Sequence, residues 1–373
     1  MIVSTSAESL SIIRGIPLED EPGLGALSIP GYLREVTTRF ADREALVMHR
    51  EGGVERWSYA TLWQKSVEVA KALIACGVGK DSRVGILMTN RPEYLSAVFG
   101  TAMAGGVSVG LSTFSTAMEL EQLLAASCVS VLLFDGRVLK KDFGDVLLEL
   151  LSRAVADEET TSVIPAKAGI QSPLMDRTGA RADGLGVWPR LGSDPMSLPS
   201  SRTRFRGNDG GVKFPFLRHL VRLDSVTGRA TEADAHPPCF ESWSAFLSRG
   251  SEISDAIVDA RAASVTPSDA GGLFFSSGTT STPKGILHAQ RAFTIQWWRW
   301  PRVMCVQGSA RAWTGNGFFW SGNITMVWGV ALSTGGAIVL QPYFEPEQAL
   351  RLMETERVNF LTGRPHQWAR LQE

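Results

Sequence analysis

From Tyr59 onward, apolar residues recur at Leu62, Trp63, Val67, Ala70, Leu73 and Ile74, the three-and-four spacing of a helix with one buried stripe. Ser58 stands where such a helix takes a side-chain cap, and Gly77 where it can end. Val84 to Met88, Val129 to Phe134, Gly271 to Ser276 and Ala337 to Leu340 show a different pattern. They are short, largely apolar runs suited to strands covered on both faces. Helical patterns lie between them, including Pro346 to Arg357 with proline in its first turn. This alternation predicts an α/β fold of layered sheets flanked by helices.

One stretch breaks the alternation. Between a helix ending near Arg153 and the apolar run at Phe214 the chain is rich in Gly, Pro, Ser, Arg and Asp, and too long for an ordinary connection. It divides the sequence into a first part (1–160), an inserted segment (161–213) and a second part (214–373). The genetic code suggests an origin for the insertion. Thr161 to Gly169 can be written in codons whose complementary strand translates, in register, as Thr203 to Gly211. The segment therefore reads as a translated palindromic DNA repeat, expected to form a low-order surface excursion. A native regulatory loop is the alternative, and the gene's nucleotide sequence decides between them.

The strongest chemical signal lies in the second part. The apolar run at Phe274 and Phe275 stops abruptly in Ser276-Ser277-Gly278-Thr279-Thr280-Ser281-Thr282-Pro283-Lys284-Gly285. Phosphate oxygens accept many short hydrogen bonds at once, and glycine-freed amides, hydroxyls and an ammonium supply them without bulk. With Ile286 onward read as a helix, the loop is expected at a strand-to-helix turn. A Walker loop is excluded, because Pro283 stands where its second glycine belongs and Gly285 where its Mg²⁺-binding hydroxyl belongs. The dinucleotide pattern is excluded too, since Gly23-Leu24-Gly25 and Gly315-Asn316-Gly317 both lack the third glycine.

Ser276 to Gly285 resembles the signature Ser/Thr-Ser-Gly-Thr-Thr-Gly-x-Pro-Lys-Gly of the adenylate-forming (AMP-binding) acyl-CoA synthetases. Ser281 in place of glycine is the one departure. Further segments are similar to that family in the right order. They are Trp57 to Leu62, Gly77 to Val84, Asn90-Arg91-Pro92-Glu93, Ala104 to Leu111 with Gly110 where many members have proline, and Glu119 to Glu121. The resemblance implies a large N-terminal domain in which this loop wraps the β- and γ-phosphates of ATP while a carboxylate attacks the α-phosphorus. Implied ligands are ATP, Mg²⁺, CoA and a small-molecule carboxylate, with Ser276, Ser277, Gly278, Thr279, Thr280, Ser281, Thr282, Lys284 and Gly285 as the phosphate-binding set.

Trp313 to Asn323 is similar to the family segment that lines the acyl pocket, which makes Trp320 and Gly322 candidate pocket residues, with core packing the alternative for Trp320. His288 is read as a packing or hydrogen-bonding residue rather than a general base, for want of a partner carboxylate. Trp297, Trp298 and Trp300 read as core rather than acyl contacts. Val358 to Pro365 resembles the strand and turn that precede the family's adenine-binding segment, and the family's catalytic lysine and C-terminal domain have no counterpart before Glu373. The expectation is a truncated acyl-CoA synthetase, inactive or weak alone. The alternatives are a nucleotide-binding or structural remnant, or half of a split ligase completed by a second chain.

Composition narrows the classes further. With 44% hydrophobic residues and a formal net charge of −1, the chain can bury a large core and shows no bias toward nucleic acid or anionic membrane. Cys76, Cys128, Cys239 and Cys305 are scattered, which predicts neither a zinc site nor a disulfide framework; they are read as reduced packing residues. No segment approaches the ~18 apolar residues of a membrane span, and Met1 to Gly15 lacks a signal-peptide pattern, so a cytoplasmic protein is expected.

Overall fold

The computed structural model describes residues 15–161, 214–224, 239–276 and 283–373, with side chains to Arg153 in the first block. Two sheets organise them. The five-stranded sheet has the order β14-β12-β13-β1-β2. Strands β1 (Glu44–Arg50) and β2 (Gly53–Ser58) form an antiparallel hairpin at one edge, while β12 (Arg311–Thr314), β13 (Ala337–Leu340) and β14 (Phe360–Thr362) continue it in parallel. The seven-stranded sheet has the order β11-β10-β4-β3-β5-β8-β9. Here β3 (Arg83–Leu87), β4 (Val107–Gly110), β5 (Val131–Asp135), β8 (His219–Leu223), β9 (Glu241–Ser242) and β10 (Ala270–Ser276) run parallel, and β11 (Lys284–Ala289) closes one edge in the antiparallel sense. A small separate hairpin joins β6 (Arg137–Val138) to β7 (Lys141–Asp142).

The helices lie in layers that the strands' alternation dictates. On β5, Val131 and Leu133 enter one core while Leu132 and Phe134 enter another; on β13, Ile338 and Leu340 part from Val339 in the same way. Between the two sheets pack α1 (Ile29–Arg39), α2 (Tyr59–Ala75), α3 (Pro92–Met103), α8 (Gln290–Val303) and α9 (Ser321–Ser333). The outer face of the larger sheet is covered by α4 (Ala117–Ser127) and α5 (Phe143–Thr161), and that of the smaller by α10 (Pro346–Thr355) and α11 (Pro365–Gln372). Short α6 (Trp243–Ser248) and α7 (Asp255–Ser264) pack beside α2. Strands buried on both faces explain the near-continuous apolar runs of the sequence.

Several predicted elements fall in place. The Ser58 hydroxyl accepts the Thr61 amide at 3.1 Å as the cap of α2, and Gly77 follows that helix at φ 82°, a region that favours glycine. β13 spans the predicted residues, and β3 starts one residue before the predicted Val84. The helix expected to reach Arg357 stops at Thr355, because Arg357 turns to φ 51°. Likewise α5 runs beyond Arg153 to Thr161. The rest of the inserted segment, 162–213, lies outside the described residues, and the chain rejoins the core with buried Phe214 and Leu217.

Candidate functional site

The hydroxyl-rich loop joins two strands. Pairing runs from Ala270 opposite Ala289 to Ser276 opposite Lys284, so the phosphate signature is the connection of an antiparallel hairpin. Of the predicted phosphate-binding set, Ser276, Lys284 and Gly285 are described, with Ser276 half-buried and the other two exposed. Ser277, Gly278, Thr279, Thr280, Ser281 and Thr282 lie outside the described residues. The helix expected from Ile286 is therefore corrected to strand β11, and helix α8 begins only at Gln290. The cause is local. β11 borrows its ladder from β10 at a sheet edge, so Ile286 and Leu287 side by side stay 47% and 55% exposed and carry no readable period. One consequence is electrostatic: β11 and not a helix follows the loop, so no helix dipole points at it from that side.

Close backbone approach brings both sheets to this end of the molecule. β4, the parallel neighbour of β10, ends at Gly110, where an added Cβ would stand 3.1 Å from the Phe274 ring and 3.2 Å from the Phe319 carbonyl oxygen. Gly110 thus marks a close approach. Asn90, just past β3, ties the sheets together. Its side-chain amide donates to the Asn316 carbonyl and its side-chain oxygen accepts the Phe318 amide, each at 2.8 Å. The Gly315–Trp320 turn is pinned in addition by Asn323 donating to the Gly317 carbonyl at 2.8 Å and Gln367 donating to the Gly315 carbonyl at 2.6 Å. Ligands of parallel α/β sheets bind outside the carboxyl ends of the strands, which is where the ends of β3, β4, β10 and β12 meet.

The charged groups nearby are paired with one another. Arg91 donates to Asp135 at 2.5 Å and to Glu93 at 2.7 Å, while the Thr89 amide and hydroxyl donate to the other Asp135 oxygen at 2.7 and 2.8 Å. Burial alone would lower the Arg91 pKa, but Asp135 and Glu93 outweigh it and raise it. Burial would raise that of Glu93, and Arg91 outweighs it in turn, so Glu93 titrates below the usual carboxylate range. Arg91 and Glu93 therefore stay charged near neutral pH, and with Asp135 they hold the strand ends in place.

His288 lies on β11, not in a helix as expected, with its ring 5.8 Å from Phe274 and 5.9 Å from Phe293 between centroids. Burial lowers its pKa, and among the described residues it has no carboxylate partner. This supports the packing reading.

Trp297 and Trp298 are core residues as predicted, their indole N–H groups donating to the carbonyls of Ile324 at 2.9 Å and Ala26 at 3.1 Å; Trp300 is half-buried. Trp320 differs from them. It precedes α9 with 49% of its surface exposed, which removes the core alternative, and the Arg364 guanidinium stacks on it at 3.8 Å from the ring centroid. Gly322 faces open space. Cys76 and Cys128 are half-buried, whereas Cys239 and Cys305 are exposed, so only the first two can be packing residues. Sequence reasoning missed the roles of Asn90 and Arg364. Asn90 had a signal, a polar residue in the turn after a predicted strand; Arg364 had none, since its partner lies far away in the chain.

Two further observations bear on ligands. Among the described residues no three His, Cys, Asp or Glu side chains gather into a metal-binding group. No helix among them is long and apolar enough to cross a membrane.

The two-sheet α/β fold thus carries its hydroxyl-rich signature between β10 and β11, following the carboxyl end of β10. Residues 33–373 match the family of AMP-binding enzymes, and the chain belongs to that family. It is 26% identical over 338 residues to the Mycobacterium tuberculosis 3-[(3aS,4S,7aS)-7a-methyl-1,5-dioxo-octahydro-1H-inden-4-yl]propanoyl:CoA ligase, covering 91% of this chain and 51% of that protein. Acyl-CoA ligase SID4 of Ajellomyces capsulatus is 27% identical over 150 residues, 40% of this chain and 25% of that one. Among solved structures, the N-terminal domain of FACL13 from Mycobacterium tuberculosis superposes with a TM-score of 0.61 at 17% identity, covering 93% of this chain and 65% of that one. The chain spans about half the length of the first of these relatives.

Proposed function

We propose that this chain is the triphosphate-binding portion of an AMP-forming acyl-CoA ligase. In that reading ATP and a small carboxylic acid meet at the carboxyl ends of the sheets, an acyl-adenylate forms with release of pyrophosphate, and CoA then takes the acyl group. The single observation that carries it is the placement of the Ser276–Gly285 signature on a hairpin beside the convergence of β4, β10 and β12. Ser276, Ser277, Gly278, Thr279, Thr280, Ser281, Thr282, Lys284 and Gly285 would hold the β- and γ-phosphates, and Trp320 and Gly322 would border the acid. Mg²⁺ bound to the triphosphate would neutralise charge on the transferring group.

Adenylation needs the acid, the α-phosphorus and neutralising cations positioned together, and positioning alone can contribute ~7 to 11 kcal/mol. The loop supplies one part of this, since hydrogen bonds to charged groups contribute only ~1.5 to 3 kcal/mol each. The chain alone is therefore expected to bind ATP weakly and not to turn it over. The second half of the relatives' length, on the same polypeptide or a second one, would complete the reaction. Pyrophosphate release tests this: the purified chain should show none that depends on added carboxylic acid, and acid-dependent release would contradict the proposal. A protein of the cytoplasm accords with this chemistry.

A further inference from the structure

Arg364 follows β14 and precedes α11, and Trp320 precedes α9; the two meet face to face with the guanidinium carbon 3.8 Å from the indole centroid. Their place in the fold is set by contacts already described. Gly110 at the end of β4 leaves room for nothing larger beside Phe274 of β10 and the Phe319 carbonyl, and the rings of Phe319 and Trp320 lie 6.1 Å apart. The hairpin that carries the phosphate signature and the Arg364 stack thus flank one turn.

The chemistry of the stack is specific. Arg56, Arg91, Arg299 and Arg311 each pair with carboxylates, whereas Arg364 pairs with none among the described residues. The indole covers one face of the guanidinium and attracts its charge, yet the in-plane N–H donors meet no carboxylate among the described residues. Those donors form the planar fork that suits carboxylate or phosphate oxygens, which a lysine in the same place would not reproduce. Trp320 is half exposed and the ideal Cβ of nearby Gly322 meets nothing within 4 Å, so an anion has room beside the stack. Both residues also stand at helix N-termini, whose positive ends favour an anion there.

We propose that Arg364, oriented by Trp320, is an oxyanion-binding residue of this site. Its ligand is either the carboxylate of the acid substrate or a phosphate of the nucleotide, groups that share the chemistry the fork recognises. The inference rests on the ligase reading for the identity of these anions, and its test separates the two.

Benzoate and inorganic pyrophosphate are titrated separately into the full chain by isothermal calorimetry, for the native protein and for Arg364→Gln, Arg364→Lys, Trp320→Leu and Lys284→Ala. Arg364→Gln should weaken one of the two ligands by about tenfold or more. Loss of benzoate identifies the carboxylate as the ligand, and loss of pyrophosphate identifies the phosphate. Arg364→Lys should weaken the same ligand severalfold, because charge remains and the fork is gone, and it serves as the readout if the glutamine variant fails to fold. Trp320→Leu should weaken that ligand too, by less. Unchanged binding in the Arg364 variants, or a native chain that binds neither ligand, overturns the inference. If Lys284→Ala alone loses pyrophosphate, the inference falls and the ligase reading stands; if only the Arg364 variants matter, the reverse holds.

Discussion

The side-chain amide of Asn90 donates to the Asn316 carbonyl across 2.8 Å, a hydrogen bond from the end of one sheet to the turn that leaves the other. With Asn90 only 3% exposed and its oxygen also bound to the Phe318 amide, one side chain serves both backbone groups. Asn90→Leu should strand a buried donor and a buried acceptor and cost about 1 to 3 kcal/mol. Urea unfolding reads that loss, and a variant within 0.5 kcal/mol of the native protein would show that water replaces the asparagine without cost.

Arg91 and Asp135, with side chains 5% and 0% exposed, form an ion pair that is worth most as a pair. Removing Arg91 leaves the Asp135 carboxylate inside with only the neutral Thr89 donors, so Arg91→Leu should destabilise by about 3 to 5 kcal/mol. The double variant Arg91→Leu with Asp135→Leu should cost less than the sum of the two single leucine changes. A strictly additive double-mutant cycle would contradict the coupling.

Glu356 gives the fold a defined acid sensitivity. Its side chain, 3% exposed, accepts from His49 at 2.6 Å, from Arg56 at 2.8 and 3.0 Å and from Arg311 at 2.5 Å. Burial would raise its pKa, but the hydrogen bonds of Arg56 and His49 and the charges of Arg56 and Arg311 outweigh that and bring it from 4.5 down to about 2. A carboxyl depressed on folding contributes stability that is fully present above its unfolded pKa and is lost as pH falls toward its folded one. The contribution is about 3 kcal/mol at neutral pH, and it should vanish between roughly pH 5 and 2. The stability gap between the native protein and Glu356→Gln, followed by chemical denaturation, should close over that interval; a gap independent of pH would refute the assignment.

The cysteines should separate by reactivity. Cys305 is exposed, while burial pushes the Cys76 thiol up to about 12 and leaves little thiolate at pH 8. Brief alkylation at pH 8 with peptide mass analysis should label Cys305 well before Cys76. Equal labelling would mean that the α2 end opens freely.

How legible was all this in the chain? Strands such as β13 could be read because burial on both faces forces a run of apolar residues, and α2 could be read because Ser58 and Gly77 punctuate it at both ends. The hydroxyl-rich signature stands out as a sequence pattern, but its setting on a hairpin does not. An edge strand such as β11 takes its hydrogen bonds from β10, and its apolar Ile286 and Leu287 face solvent, so neither period nor burial marks it. The Arg91–Asp135 pair and the Arg364–Trp320 stack join residues 44 positions apart in each case, a proximity that topology creates and local pattern does not encode.

Lys284 stands exposed at the base of the hairpin, opposite Ser276, and the whole account requires this loop to hold a polyphosphate. Calorimetric titration of ATP into the native chain and into Lys284→Ala tests that most directly. The account predicts weak, saturable binding that the substitution weakens by about 10- to 150-fold. ATP binding of equal strength in both proteins, or none in the native chain, would contradict it.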